Sequence, residues 1–197
     1  IDLANKLVDL KNTMNTKRVN TTMPLDHNIV ITKSWLLGYL EGDGSFYISR
    51  TDIEPVFTLT ATEEQCFLFE KIKEFLLGNL ELDKYSLFKL KCTQVISINK
   101  VKSREKGKPD ITLAIKNIRF LNNYFIPYFE NMSFITKKGL DFNDFKIMTL
   151  AVYKGLHNIE KIRSLILNLS YTMNNFRLST YAGDSKVVLS TVDNNLI

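Results

Sequence analysis

Two carboxylates, Glu41 and Asp43, close an otherwise apolar run, "SWLLGYLEGDGSFYIS" (34–49), in which Gly38 and Gly42 lie four residues apart. If the run is a helix, its end is the negative end of the macrodipole, and a carboxylate there is disfavoured by about 0.3–1 kcal/mol. Each glycine costs up to about 1 kcal/mol more than alanine would. What a glycine pair on one helical face offers in return is the close approach of another backbone. Two such helices meeting along their glycines would bring two carboxylates together, a donor set suited to holding divalent ions over a phosphate. The plainer reading is that Asp43-Gly44 forms a turn into a following strand, since Asp-Gly is a common turn pair. Elsewhere the chemistry is sparse. His27 falls in a polar linker and His157 at a helix junction, while Cys66 and Cys92 fit no metal-ligand spacing and read as reduced thiols.

The elements that must position these groups follow from periodicity. Leu3, Leu7, Leu10 and Met14 recur at helical spacing over residues 1–15, and the polar stretch after them, with Pro24, reads as a linker. The run from 32 to 43 is helical and apolar nearly all round, which predicts a helix covered on more than one side. Two alternating segments, "SFYISRT" and "PVFTLTAT", predict a hairpin turning at "DIEP". Residues 63–77 form an amphipathic helix with Phe69, Ile72, Phe75 and Leu76 inward and acids in its first turn. A second strand pair, "LFKLKCTQVISIN" and "DITLAIKN", is split by the basic loop "KVKSREKGKP". The segment 118–132 is a helix that Pro127 should end or kink.

The order helix, two strands, helix, two strands, helix makes an α+β unit, with helices on one face of a four-stranded antiparallel sheet. Two amphipathic helices follow. One spans 140–154 with Phe142, Phe145, Met148 and Val152 inward and Gly155 as C-terminal cap; the other spans 159–174 with Asn158 as N-cap and Ile162, Leu165, Ile166 and Leu169 inward. The expected domains are 1–30 (helix and linker), 31–135 (core), 136–178 (helical extension) and 179–197 (tail).

At 197 residues and 45% hydrophobic the chain can bury a full core, and no apolar run approaches the roughly 20 residues needed to span a bilayer, so no membrane partner is expected. The formal charge of +5 favours polyanionic partners without requiring one.

The stretch "LLGYLEGDG", residues 36–44, resembles the nine-residue motif of the LAGLIDADG homing endonucleases, with Gly38, Glu41 and the Asp43-Gly44 pair at matching positions. The element order resembles that family's core, and "IPYFENMSFITKKGLDFNDF" is similar to the family segment in which a proline-aromatic pair precedes a lysine-rich turn. The resemblance covers about 31–175 and implies a saddle of strands in the DNA major groove, with motif helices (Leu37, Gly38, Glu41, Gly42) forming the interface between two units. It implies that Asp43 and the Gly42 carbonyl bind catalytic Mg²⁺, that Lys138 or Lys137 assists, and that the chain hydrolyses phosphodiester bonds of double-stranded DNA. For either lysine the alternative is ordinary surface charge.

If Phe46 and Ile48 face the helices, Tyr47, Ser49 and Thr51 face the groove, as do Thr58, Thr60, Ser97, Asn99, Thr112 and Lys116. Arg50 has core-side parity, is expected at the strand end and is a further candidate for nucleic-acid contact. Lys100, Lys102, Arg104, Lys106 and Lys108 are candidates for phosphate contacts. A single motif demands a partner: a homodimer, or a first domain missing from a longer intron-encoded mitochondrial protein. The family also contains maturases, which implies an alternative role, binding group I intron RNA and aiding its splicing. A purely structural role leaves both the glycine stripe and the acid pair unexplained.

Overall fold

The computed structural model describes residues 2–13, 29–79, 95–101 and 109–174. Helix α1, Asp2–Thr13, belongs to a separate unit ending at Val30, and Leu3, Leu7 and Val8 on it are exposed. The unit from Ile31 onward begins with α2, Lys33–Asp43. Thr32 caps α2, its hydroxyl accepting from the Trp35 N–H at 3.2 Å. The helix passes without a loop into β1, Gly44–Ser49, which pairs with β2, Glu54–Thr62. Helix α3, Cys66–Asn79, then leads to β3, Ile96–Val101, and β4, Asp110–Ile115. The four strands form an antiparallel sheet, as the two strand pairs predict, and their order is β1-β2-β4-β3.

One face of that sheet is the core. Phe46 and Ile48, Phe57 and Leu59, Ile96, and Ile111, Leu113 and Ile115 are buried there beneath Leu36 and Leu40 of α2 and Phe69, Ile72 and Leu76 of α3. Rings continue from sheet to helix: Phe57 lies 5.1 Å from Phe46 and 4.7 Å from Phe125. Phe46 in turn meets Phe142 at 5.5 Å and Phe145 at 5.3 Å. Such pairs contribute about 0.5–1.5 kcal/mol each beyond their burial. They bring Phe142 and Phe145, which the sequence reading placed in a C-terminal extension, into the same core as β1.

Several local expectations change. The β1–β2 turn is Arg50–Ile53, not "DIEP". Pro55 is instead the second residue of β2, where β4 does not yet flank it, so its missing N–H breaks no bond on that side. Ile53 takes a left-handed φ of 52°, strained for a β-branched residue, while its side chain is buried in the core. The acids Glu63 and Glu64 fall in a 3₁₀ turn, Glu63–Gln65, ahead of α3. β3 extends to Val101 because Lys100 and Val101 still pair with Ile111 and Asp110; residues 87–94 lie outside the described residues.

Pro127 does not end its helix. Helix α4 runs as Ile118–Phe120, a π-turn Leu121–Phe125, and Ile126–Glu130, with the Ile126 N–H donating to the Leu121 carbonyl five residues back. That widened turn leaves room for the proline ring. Helix α5 begins at Lys138 and ends at Tyr153, with Gly155 left-handed at φ 74° as its cap. Helix α6, Glu160–Ser170, has Ile159 as N-cap; Asn158 instead donates from Nδ2 to the Gly155 carbonyl at 3.0 Å.

Candidate active site and nucleic-acid face

Asp43 is the last residue of α2 and is exposed, so its carboxylate stands in water at the helix end. Gly44 has an ordinary extended backbone, φ −70° and ψ 143°, and its N–H donates to the Leu40 carbonyl. A Cβ at position 44 would collide with that same carbonyl oxygen. The Asp-Gly pair is therefore not a hairpin turn. The glycine is there because the strand leaves the helix too close for any side chain.

Gly38 and Gly42 are exposed, and a Cβ at either would meet no atom within 4 Å. The structure covers α2 on one side, through Leu36 and Leu40, and leaves open the glycine side, along which the sequence predicts a second such helix. Trp35, 40% exposed, stacks on Tyr39 at 5.2 Å along this open side, and Leu37 is half-buried. The Tyr39 hydroxyl donates to Gln65 Oε1 at 3.4 Å. Burial raises the Tyr39 phenol above its ordinary value, and the charge of Asp43 raises it further.

Glu41 has the clearest new role. Its Oε1 accepts from the backbone N–H groups of Ile135 at 2.7 Å and Thr136 at 2.8 Å, in the segment entering α5. Two lysines follow directly. Lys137 is the exposed N-cap residue of α5, whereas Lys138, its first residue, is only 7% exposed. Asn174 holds the opposite side of the junction from a left-handed backbone, φ 57°. Its N–H donates to Asp141 Oδ1 at 3.2 Å and its Nδ2 to the Phe46 carbonyl at 2.9 Å, while the Ser45 hydroxyl meets its Oδ1 at 3.5 Å. No local pattern announces these contacts, whose partners lie 33 to 129 residues apart along the chain.

The sheet face opposite the core carries Tyr47, Ser49, Thr58, Thr60, Ser97, Asn99 and Thr112 by strand alternation, all at least partly exposed. Asn99, Thr112 and Thr60 stand in one row across three strands. The hydroxyls of Thr60 and Thr112 lie 3.1 Å apart, Asn99 Nδ2 donates to Ser97 Oγ at 3.2 Å, and Ser97 Oγ donates to the Ala114 carbonyl at 3.3 Å. The charged residues that alternation puts on this face of the described strands are Glu54 and Asp110. Burial, and then the charge of Glu54, raise the Tyr47 phenol. Lys116 is exposed just past the end of β4.

Two expected nucleic-acid contacts are engaged within the chain. Lys100 shares the parity of Ile96 and Ile98, opposite to the hydroxyl-lined face, and forms an ion pair with Glu63. The Arg50 guanidinium lies 3.9 Å over the Tyr171 ring, with Nε donating to Ser170 Oγ at 3.3 Å. Ser170 closes α6, so the cation sits at the negative end of a helix dipole. Lys102, Arg104, Lys106 and Lys108 lie outside the described residues, as does Cys92; Cys66 is a free, half-buried thiol.

Residues 36–149 match the family model described as LAGLIDADG endonuclease, more than half of the chain. "Uncharacterized mitochondrial protein RF1" of Saccharomyces cerevisiae is 28% identical over 195 residues, covering 95% of this chain and 40% of that protein. The crystal structure of the LAGLIDADG homing endonuclease I-GzeII in complex with its DNA target aligns at TM-score 0.61 and 19% identity, over 86% of this chain and 53% of that one. The homing endonuclease I-TnaI aligns at TM-score 0.55 and 19% identity, over 76% of this chain and 94% of that one. The chain thus spans about half of I-GzeII and less of the yeast protein, and nearly all of I-TnaI. With its motif at the head of a four-stranded antiparallel saddle and a family match across most of that saddle, the chain belongs to the LAGLIDADG endonuclease family.

Proposed function

We propose that this chain supplies one half of a site-specific, divalent-metal-dependent endonuclease that cuts double-stranded DNA. One observation carries the reading: α2 keeps an open glycine face, and its last residue is the exposed Asp43. A carboxylate and the unpaired carbonyls of a helix's last turn, Gly42 among them, are hard oxygen donors of the kind Mg²⁺ takes. Among the described residues no group of three or more His, Cys, Asp or Glu could hold a metal ion. The donors fit a shared site, completed by the equivalent acid of a second unit packed along Gly38 and Gly42. I-SmaMI, bound to uncleaved DNA in the presence of calcium ions, shares this fold at TM-score 0.56 and 19% identity.

When bound, a divalent ion supplies Lewis-acid stabilisation of phosphate charge and a more acidic water. The chain's own residues do the rest. Asp43 holds the metal at the seam between units, and Lys138, the buried member of the lysine pair, places a positive charge beside the phosphate. Tyr47, Ser49, Thr58, Thr60, Ser97, Asn99 and Thr112 lie against the base edges, where hydroxyl and amide groups donate and accept. Lys116 and the 102–108 lysines and arginine contact phosphates. The second unit is another copy of this chain or a further domain. The family likeness to the yeast protein supports a mitochondrial setting.

Asp43→Asn tests the reading directly. The variant should lose Mg²⁺-dependent double-strand cleavage of a selected target while keeping DNA affinity and melting temperature. Cleavage at the unaltered rate would end the assignment. If the second unit is another copy, mass in solution should show a dimer on DNA; if it is a further domain, cleavage should require that domain to be supplied.

A further inference from the structure

We infer that Glu41 is a positioning residue: it straps the entry of α5, and with it Lys138, to the end of α2 that carries Asp43. The inference rests on the nuclease reading for its consequence, though not for its geometry. Glu41 is one peptide unit away from Gly42 and two residues before Asp43, so its carboxylate belongs to the same helical turn as the acid at the seam. One oxygen, Oε1, accepts from two consecutive backbone amides, those of Ile135 and Thr136. Thr136 passes the constraint on, since its Oγ1 accepts from the Lys138 N–H at 3.2 Å. Two hydrogen-bonded steps thus connect Glu41 to the backbone of Lys138.

The segment is pinned from its other flank as well. Phe134 stacks on Phe142 of α5 at 4.8 Å, and a Cβ at position 139 would strike the Phe134 side chain at 2.7 Å. The Ile135 side chain, by contrast, is 86% exposed and anchors nothing within the chain. Removing Glu41 would therefore free the backbone at 135–136 without opening the core. Bonds from amides to a carboxylate are charge-assisted and about twice as strong as neutral ones, which suits a strap that has to keep its length. The same bonds give a carboxylate partners where the helix dipole would otherwise disfavour it. Glu41 is thereby spent on the fold, and the metal is left to Asp43.

The test uses the full chain and three variants, Glu41→Ala, Glu41→Gln and Thr136→Val, read by single-turnover cleavage, DNA affinity, melting temperature and amide hydrogen exchange. Glu41→Ala should slow cleavage on the order of 10²-fold, the scale expected when a reacting group is misplaced by about 1 Å, with DNA affinity retained. Glu41→Gln keeps an oxygen that accepts both amides and should restore most of the rate; Thr136→Val should give a smaller loss than Glu41→Ala. Exchange should quicken at Ile135, Thr136 and Lys138 in Glu41→Ala and stay unchanged in β1 and β2. If Glu41→Gln is as inactive as Glu41→Ala, the charge itself acts at the site and the strap is wrong. If Glu41→Ala cuts at the unaltered rate, or exchange at those three amides does not change, the strap is also wrong. A wild-type chain that pairs on DNA yet cuts nothing, while exchange behaves as expected, refutes the nuclease reading and leaves the strap standing.

Discussion

The junction of α2 with β1 and the outer face of the sheet are built from similar polar residues and held in opposite ways. At the junction Glu41 and Asn174 are tied across long sequence separations: Glu41 to the entry of α5, and Asn174 to Asp141, Ser45 and the Phe46 carbonyl. On the outer face the bonds run between neighbouring hydroxyls and amides, as in the Thr60–Thr112 pair, where either oxygen can donate. Fixed geometry suits a group that must meet one phosphate. Reversible bonding suits a surface that exchanges its own partners for base edges. The difference lies in the partners: the junction bonds end on backbone amides and a carbonyl whose positions the fold fixes, whereas two facing hydroxyls can exchange donor and acceptor.

Truncating Phe46 should do the most damage to that contrast. It is fully buried against three rings, and Phe46→Ala should cost about 3–5 kcal/mol in denaturant unfolding and take the junction with it. Gly44→Ala forces a side chain into the Leu40 carbonyl and should cost about 1–3 kcal/mol, with cleavage falling further than stability because Asp43 is displaced. Asn174→Ala removes hydrogen bonds at a half-buried site and should cost about 1–2 kcal/mol by thermal melting. A loss no greater than that of a surface residue would show that the junction is not tied from this side.

The outer face should respond differently. Thr60→Val keeps shape and deletes a hydroxyl, so stability should stay within about 0.5 kcal/mol while base preference at one target position shifts in a binding selection. A large stability loss there would erase the distinction between the two regions. The smallest effect belongs to Lys100. Its partner Glu63, by hydrogen bond and then by charge, raises the lysine above its ordinary value. The stabilising contribution is therefore present below the usual lysine range and lost as pH rises through the raised folded value. Because the group is fully exposed, Lys100→Met should leave melting at neutral pH unchanged in physiological salt.

The sequence by itself determined the strand and helix order, the sheet class, several of the buried phenylalanines (Phe46, Phe69, Phe142 and Phe145) and the place of Asp43, because period-2 and period-3.6 patterning and a glycine pair are local properties of a chain. Its errors were also local. Arg50 and Lys100 read as cations for nucleic acid, since nothing near them in sequence announces Tyr171, Ser170 or Glu63. Helix starts slipped by one to three residues where a 3₁₀ turn or an unexpected cap intervened. Only the tertiary structure decided why Gly44 must be glycine, which of two adjacent lysines is buried, and what Glu41 does. Each of those answers depends on an atom brought close by folding, and distance along the chain carries no information about it.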